Sequence, residues 1–350
     1  MELGSEFNLS LSDLQITNTN CFSYIEKCGM ESMYVDSGRS AIKIVVEHLI
    51  PEGEILLPEF ICESVIRCFS IDRVQFYRIS DRFIIDVDDI KSKISKHTKA
   101  IFLMHYFGAL QPGYVIDTIK KISRDYNLMI IEDVTHSLFS SPHTIGDLAV
   151  ASIRKWMQIP HGGVLLSPKK LFVPFVSQGD NSKAYGMILK DMYLKDDYDC
   201  NAKYRSIFAD SEEKLDCQEN KYRMSDFTAF VMKCVDIDIL IRRRKSNYNY
   251  LKEHLSLLGI EPAISMDDMS CPLAMPIRVP NRDQFRRYLI DNQIYCAVHW
   301  PSDGIREGER KTAVNNSQEL ISLPIDQRYT EEHMSYMVQI ISRYGGELKF

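Results

Sequence analysis

The stretch "AIFLMHYFGALQPGYVIDTIKKISRDYNLMIIED", residues 100–133, decides the fold. An apolar run at 100–107 opens it and another at 128–133 closes it. Both have strand length and are too continuous for a strand with one wet face. Between them, 114–127 puts Val115, Ile116, Ile119, Ile122 and Tyr126 on one helical stripe with the charges opposite. Strand, helix, strand in this order predicts parallel strands joined by a covering helix.

The same reading extends outward. "EILLP" (54–58), "VQFYRI" (74–79) and "GVLLSP" (163–168) are further buried strands bounded by Pro, Gly or charge. The expected class is α/β: a three-layer αβα arrangement with a mainly parallel sheet and a smaller α+β C-terminal domain. Residues 170–224 are polar, rich in Tyr, Asp and Lys, and weakly periodic, which predicts loops and short helices. A long helix is expected over 225–258, ended by Gly259. The tail then reads as a strand in "PLAMPIRVP" (272–280), a helix in 281–292 capped by Asn281, a strand in "IYCAVHW" (294–300), and a last helix over 330–343. The expected domains are 8–235, large, and 236–350, small. "GSEF" at 4–7 looks like a cloning scar, so residues 1–7 are left out of the fold reasoning.

Composition narrows the function classes. The 350 residues are 45% hydrophobic and 26% charged, enough for one large domain and a smaller one. The net charge is -6, and the one dense basic run, Arg242–Lys245, is expected on a solvated helix face rather than on nucleic acid. Nine cysteines, an odd number with no C-x-x-C spacing, suit a reducing cytoplasm and show no metal-ligand pattern. No apolar run approaches the roughly 18 residues of a membrane span.

Three segments carry chemistry. "SGRSAI" (37–42) opens an apolar helix, where backbone N–H groups and the helix dipole favour an anion, with Ser37, Arg39 and Ser40 able to add contacts. Its plainer reading is a capped helix. "LMIIEDVTHS" (128–137) ends a buried strand with Asp133, at the edge where α/β sheets bind ligands. A buried carboxylate there needs a cation, and a protonated ring nitrogen would serve; read alone, Asp133 is an N-cap and His136 is structural. "SIRKWMQIPHGGVL" (152–165) sets Lys155 between an apolar segment and a Gly-Gly turn. A desolvated amine has a lowered pKa and attacks carbonyls. Phosphate cradle, ring-nitrogen carboxylate and carbonyl-reactive lysine, in that order, are what pyridoxal phosphate requires.

At these residues the sequence resembles the DegT/StrS-type aminotransferases, pyridoxal-phosphate enzymes of fold type I. "SGRSA" is similar to the family's S-G-T-x-A, "LLPEFICESV" to its P-x-x-T-aromatic segment, and "MHYFG" (104–108) to V-H-x-Y-G. "IIEDVTHS" resembles I-E-D-x-A-[HQ]-S, "YRMSDFTAF" (222–230) N-Y-R-M-S-x-x-x-A, and "ISLPIDQRYTEE" S-L-P-x-x-x-x-x-T-x-E. The resemblance runs from about 30 to 343. It implies that Lys155 forms the Schiff base and carries the proton, and that Asp133 holds the pyridinium nitrogen. It puts Gly38, Arg39, Ser40 and Ser152 around the phosphate. His136, Phe60 and Cys62 would border the ring. His105, Tyr106, Lys221 and His299 would face substrate.

The departures are specific. Arg39 stands where the family has Thr, Cys62 where it has a stacking aromatic, and Lys221 where its Asn comes from the neighbouring subunit. The Ser152-to-Lys155 interval is two residues short. The presence of Lys155 argues against the dehydratase branch, which has His there. The implied activity is transfer of an amino group, from glutamate, to a keto sugar that is nucleotide-linked, for surface polysaccharide or natural-product biosynthesis. The implied enzyme is a cytoplasmic homodimer. A small phosphorylated ketone as acceptor, or a non-catalytic cofactor-binding regulator, are the alternatives.

Overall fold

The computed structural model describes residues 2–141, 144–195, 198–300, 306–346 and 348. The strands are β1 (Leu3–Gly4), β2 (Glu31–Val35), β3 (Glu54–Pro58), β4 (Val74–Tyr77), β5 (Thr98–Met104), β6 (Met129–Asp133), β7 (Leu148–Ser152), β8 (Gly163–Ser167), β9 (Met275–Arg278), β10 (Ile294–Tyr295) and β11 (Leu320–Leu323). The helices are α1 (Cys21–Ile25), α2 (Gly38–His48), α3 (Glu63–Ile66), α4 (Val87–Lys93), α5 (Gly113–Tyr126), α6 (Ser182–Leu194), α7 (Asn201–Asp216), α8 (Asp226–Lys233), α9 (Ile237–Ser256), α10 (Arg282–Asp291), α11 (Lys311–Glu319) and α12 (Glu331–Ser342). The class is α/β, as expected. Two compact units divide the chain: Met1–Ser5 with Glu52–Gly146 and Ile239–Phe350, and Glu6–Pro51 with Asp147–Asp238.

In the first unit β6, β5, β3 and β4 lie side by side in that order, all parallel. Their inner residues, such as Leu56, Phe102 and Ile131, are buried, which is why these strands read as unbroken apolar runs. Helix α5 returns the chain from β5 to β6. Asn127, at φ 53°, stops it, and the Leu128 N–H closes back on the Ser123 carbonyl at 2.9 Å. The buried stripe is Val115, Ile119 and Ile122; Tyr126, expected on it, is half exposed because the helix ends there. The same unit holds the antiparallel pair β9–β11 and the parallel pair β1–β10. Leu3 is fully buried with Leu251, Ile277, Phe285 and Ile294, and the Gly4 N–H donates to Tyr329 Oη at 2.7 Å. The extreme N-terminal residues therefore take part in this core.

In the second unit β2, β8 and β7 pair antiparallel in that order. Helices α6 and α7 occupy the region expected as loops and short helices. The buried face of α6 mixes Lys183, Gly186, Lys190 and Asp191 with Ala184, Met187 and Leu189, and α7 buries only Tyr204 and Phe208, so the apolar periodicity is weak although the helices pack closely. A Cβ on Gly186 would come within 2.9 Å of Ile207. The helix expected over 225–258 is broken between Lys233 and Ile237. The Ile237 N–H is drawn to the Thr19 carbonyl at 2.8 Å, and Thr19 Oγ1 donates to Asp236 at 2.7 Å.

Two local readings are corrected. Arg244, in the run expected on a solvated face, is buried and donates to the carbonyl of Leu273 at 2.8 Å and to Gln327 at 3.0 Å; Arg242 and Arg243 are exposed. Asn281 makes no side-chain cap bond on α10. Helix α12 is capped instead by Thr330, whose hydroxyl and backbone N–H both reach His333 Nδ1.

Gly163 of β8 lies against the backbone of Ser37 and Gly38: an added Cβ would stand 2.4 Å from the Ser37 carbonyl carbon. Gly163→Ala is expected to cost about 1–3 kcal/mol in urea unfolding, as overpacking does. Gly113→Ala, which has open space at the start of α5, stays within about 1 kcal/mol of the parent.

Candidate active site

In the first unit the site begins at the carboxyl end of β6. Successive strand residues point to opposite faces, so Glu132 and Asp133 part company. Glu132 is buried and turned to protein: Oε2 accepts from the N–H groups of Ile145 at 2.6 Å and Gly146 at 2.9 Å, and Oε1 faces His105 Nε2 at 3.0 Å. The Gln111 N–H donates to His105 Nδ1 at 2.9 Å, so that nitrogen is unprotonated and Nε2 carries the hydrogen toward Glu132. Asp133 is also buried, and its Oδ1 accepts from the Thr135 N–H at 2.8 Å. His136 is fully buried, with the Phe107 N–H donating to its Nδ1 at 3.3 Å. Ser137 Oγ beside it is buried and makes no hydrogen bond among the described residues.

An aromatic shelf surrounds this strand end. Phe60 stacks on Tyr106 at 5.9 Å between centroids, and the Tyr106 hydroxyl donates to the Phe60 carbonyl at 2.8 Å. Burial holds that phenol in its neutral form. His105 and Tyr106, expected to face substrate, thus spend their polar groups on the scaffold. Trp300 lies 4.9 Å from Phe60 and stacks on His136 at 5.3 Å and 28°. His299 meets His136 edge-on at 5.4 Å, and its Nδ1 pairs with Ser322 Oγ at 2.9 Å. The strand pattern of "IYCAVHW" (294–300) gives no signal for Trp300 beyond a strand residue; Pro301 lies outside the described residues. Cys62 opens α3, its Sγ 3.0 Å from Ser64 Oγ.

Arg310 clamps the segment that carries Phe60. It is buried, donates to the carbonyls of Glu59 at 2.8 Å and Ile61 at 3.0 Å, and pairs with Glu63. Nothing in the sequence around 310 marked it, since a lone arginine reads as surface.

The second unit holds the lysine and the helix start. Ser37 caps α2, its Oγ accepting from the Ser40 N–H at 3.1 Å. Helix geometry leaves the N–H groups of Gly38 and Arg39 without an intrahelical acceptor. A Cβ on Gly38 would stand 3.2 Å from Ser152, so the helix start and the end of β7 form one close-packed cradle. Asp36 beneath it is satisfied by Ser40 Oγ at 2.6 Å and Gln218 Nε2 at 2.7 Å. Lys155 ends a single three-residue 3-10 turn, Ile153–Lys155, directly after β7, and is half-buried. His161, before the Gly-Gly pair, is buried between Ser225 Oγ at 2.9 Å and Thr228 Oγ1 at 3.1 Å; burial lowers its pKa.

The two extra cations have partners. Arg39 pairs with Asp216 at 2.6 Å, and Lys221 pairs with Glu47. A third ionic group was not read from the sequence: Arg154 forks onto Glu212 at 2.9 and 3.1 Å, and Glu212 also takes Lys183 at 2.7 Å. Burial would raise the Glu212 pKa, but Arg154 and Lys183 overcome it and hold the carboxyl at about 2.

In the second unit, the start of α2 at Gly38 excludes side chains and presents helix-start N–H groups, which suits a phosphate. In the first unit, buried Asp133 at the end of β6 and Ser137 in the turn after it supply polar atoms that suit a basic ring nitrogen. The metal-ligating types form no cluster among the described residues.

Comparison with known proteins agrees. The fold is that of an aminotransferase TlmJ from Streptoalloteichus hindustanus, with a TM-score of 0.68 over 97% of this chain and 98% of that one at 16% identity. The putative sugar aminotransferase Spr1654 from Streptococcus pneumoniae, solved in its PLP form, gives 0.67 over 97% of both chains at 12% identity. In sequence, the chain is 24% identical over 274 residues to a dTDP-3-amino-3,6-dideoxy-alpha-D-galactopyranose transaminase of Aneurinibacillus thermoaerophilus, covering 75% of this chain and 69% of that protein. The class is therefore that of the transaminases. The chain belongs to the DegT/DnrJ/EryC1/StrS aminotransferase family, which it matches over residues 35–155 and 200–342.

Two outcomes follow from the charges. Arg310→Met leaves Glu63 buried without its cation and is expected to cost about 3–5 kcal/mol in urea unfolding. The Glu212 carboxylate contributes stability in full above its ordinary pKa of 4.5, and that contribution is lost as pH falls toward about 2. Glu212→Gln should therefore show a flatter decline of melting temperature than the parent across that acid range.

Proposed function

We propose that this chain is a pyridoxal 5′-phosphate-dependent aminotransferase that moves an amino group from glutamate onto a nucleotide-linked keto sugar, for surface polysaccharide or natural-product biosynthesis. One observation carries the reading: the family match from 35 to 155 contains, in order, the Gly38 cradle, the Asp133 strand end and the Lys155 turn. The galactopyranose transaminase among the relatives supports the acceptor class.

When bound, the cofactor supplies an electron sink for the amino acid's α-carbon. The protein's own groups divide the remaining work. Lys155 Nζ would hold the cofactor and, once displaced by the substrate amine, would carry the proton at the α-carbon. The Asp133 carboxylate holds the ring nitrogen protonated, its orientation set by the Thr135 N–H. Gly38, Arg39, Ser40 and Ser152 hold the phosphate. His136, Phe60 and Cys62 border the ring, with His105 and Tyr106 fixing the strand end beneath them. Lys221 and His299 address the acceptor. We further propose a cytoplasmic homodimer, with the cofactor-binding domain in 8–235 and the small domain in 236–350. The helices of the described residues include none long and apolar enough to cross a membrane.

Borohydride reduction of purified protein followed by peptide mapping should place the cofactor on Lys155, and Lys155→Ala should lack the visible band. Glutamate should shift that band in the parent. A panel of acceptors then separates the cases: turnover with nucleotide-linked keto sugars supports the reading, and turnover only with small phosphorylated ketones replaces the acceptor. A tag on another residue, or no band shift with any amino donor, overturns it.

A further inference from the structure

We propose that Glu212 is a positioning residue for Lys155, acting through Arg154. The inference rests on the reading of Lys155 given above, and its geometry lies wholly within the second unit.

The lysine sits on the smallest helical element available, one 3-10 turn of three residues. Its backbone is pinned at both ends. The Ile153 N–H donates to the Gly162 carbonyl at 2.9 Å, and the Trp156 N–H donates to the Ile153 carbonyl at 3.0 Å, with the Trp156 side chain fully buried. Rotation about the turn's own axis is restrained from the side by Arg154. In a 3-10 turn adjacent side chains project about 120° apart, so fixing Arg154 sets the direction in which Lys155 leaves the backbone.

The anchor has supports of its own besides Arg154. Glu212 stands on α7, and Lys183 on α6 holds its Oε1 at 2.7 Å. Lys183 is itself buried, 7% exposed, and is held from its other side by Glu6 at 2.9 Å. Gly186 lets α6 and α7 approach closely, which keeps this carboxylate in place. Arg154 then docks both Nη atoms, one on each carboxylate oxygen, at 2.9 and 3.1 Å. A planar fork on a planar carboxylate fixes angle as well as distance, which an ammonium would not do. An ordinary surface pair has neither the second cation nor the bidentate geometry.

The test compares the parent holoenzyme with Glu212→Gln, Arg154→Lys and a stability control, Ile207→Ala, which thins the α6–α7 contact at Gly186. Three measurements are made. They are the single-turnover rate and KM with glutamate, the pH midpoint of the visible band, and hydrogen exchange of the 152–157 backbone in cofactor-free protein. In Glu212→Gln the rate should fall about 5–20-fold with KM within about two-fold, the size expected of a misdirected reacting group. The band midpoint should move and exchange in 152–157 should quicken. Arg154→Lys should move all three in the same direction by less. Ile207→Ala should lower the melting temperature and move none of them. The proposal is overturned if Glu212→Gln and Arg154→Lys change only the melting temperature, or if Ile207→Ala reproduces their effects. The exchange measurement does not use the cofactor, so a failure of the Lys155 assignment in peptide mapping is read separately from a failure here.

Discussion

The buried carboxylate of Glu132 orders the end of β6. It collects the N–H groups of Ile145 and Gly146 and the imidazole of His105, and so ties β6 to the end of β5 and to the loop that follows. Because neighbouring strand residues face opposite ways, anchoring Glu132 fixes where Asp133 must point. The tautomer of His105 follows from the same arrangement, and the Gln111 side chain continues it by donating to the Phe83 carbonyl at 2.8 Å. The segment carries two buried carboxylates with separate surroundings, Glu132 holding the strand end and Asp133 accepting from the Thr135 N–H.

Much of the architecture was legible because its cause is local. Strands buried on both faces must be apolar throughout, and β3, β4, β5, β6 and β8 stood out for that reason. Helix α5 showed its stripe. The misreadings have causes that are not local. Helix α6 hides part of its buried face in Lys183, Gly186 and Lys190, and Lys183 depends on partners elsewhere in the chain, Glu6 and Glu212. The break between α8 and α9 depends on Thr19, more than two hundred residues earlier. Arg244 looks solvated until the carbonyl of Leu273 is placed against it. Propensity sees neither end of such contacts.

The candidate site divides the same way. The element boundaries at Gly38, Asp133 and Lys155 were legible because each has a distinctive neighbour set in the sequence. What surrounds them was not. Trp300, Arg310 and the Arg154–Glu212 pair are single residues whose significance is entirely tertiary. The departures from the family also gain physical content. Arg39 and Lys221, which read as added positive charge, each meet an acidic partner, Asp216 and Glu47. Position 62, where an aromatic is absent, lies two residues from Phe60, whose ring packs with Tyr106 and Trp300.

The Arg310 clamp has a temporal consequence for the nascent polypeptide. Arg310 and Glu63 are 247 positions apart. A ribosome adding about 5–20 residues per second therefore spends ten seconds or more between making the acid and making its base. Throughout that interval Glu63 lacks its cation, and the carbonyls of Glu59 and Ile61 lack their guanidinium donor. The first strands can associate early, but this corner is completed only when the distal part of the chain has emerged, so the aromatic surface around Phe60 is a late product of synthesis.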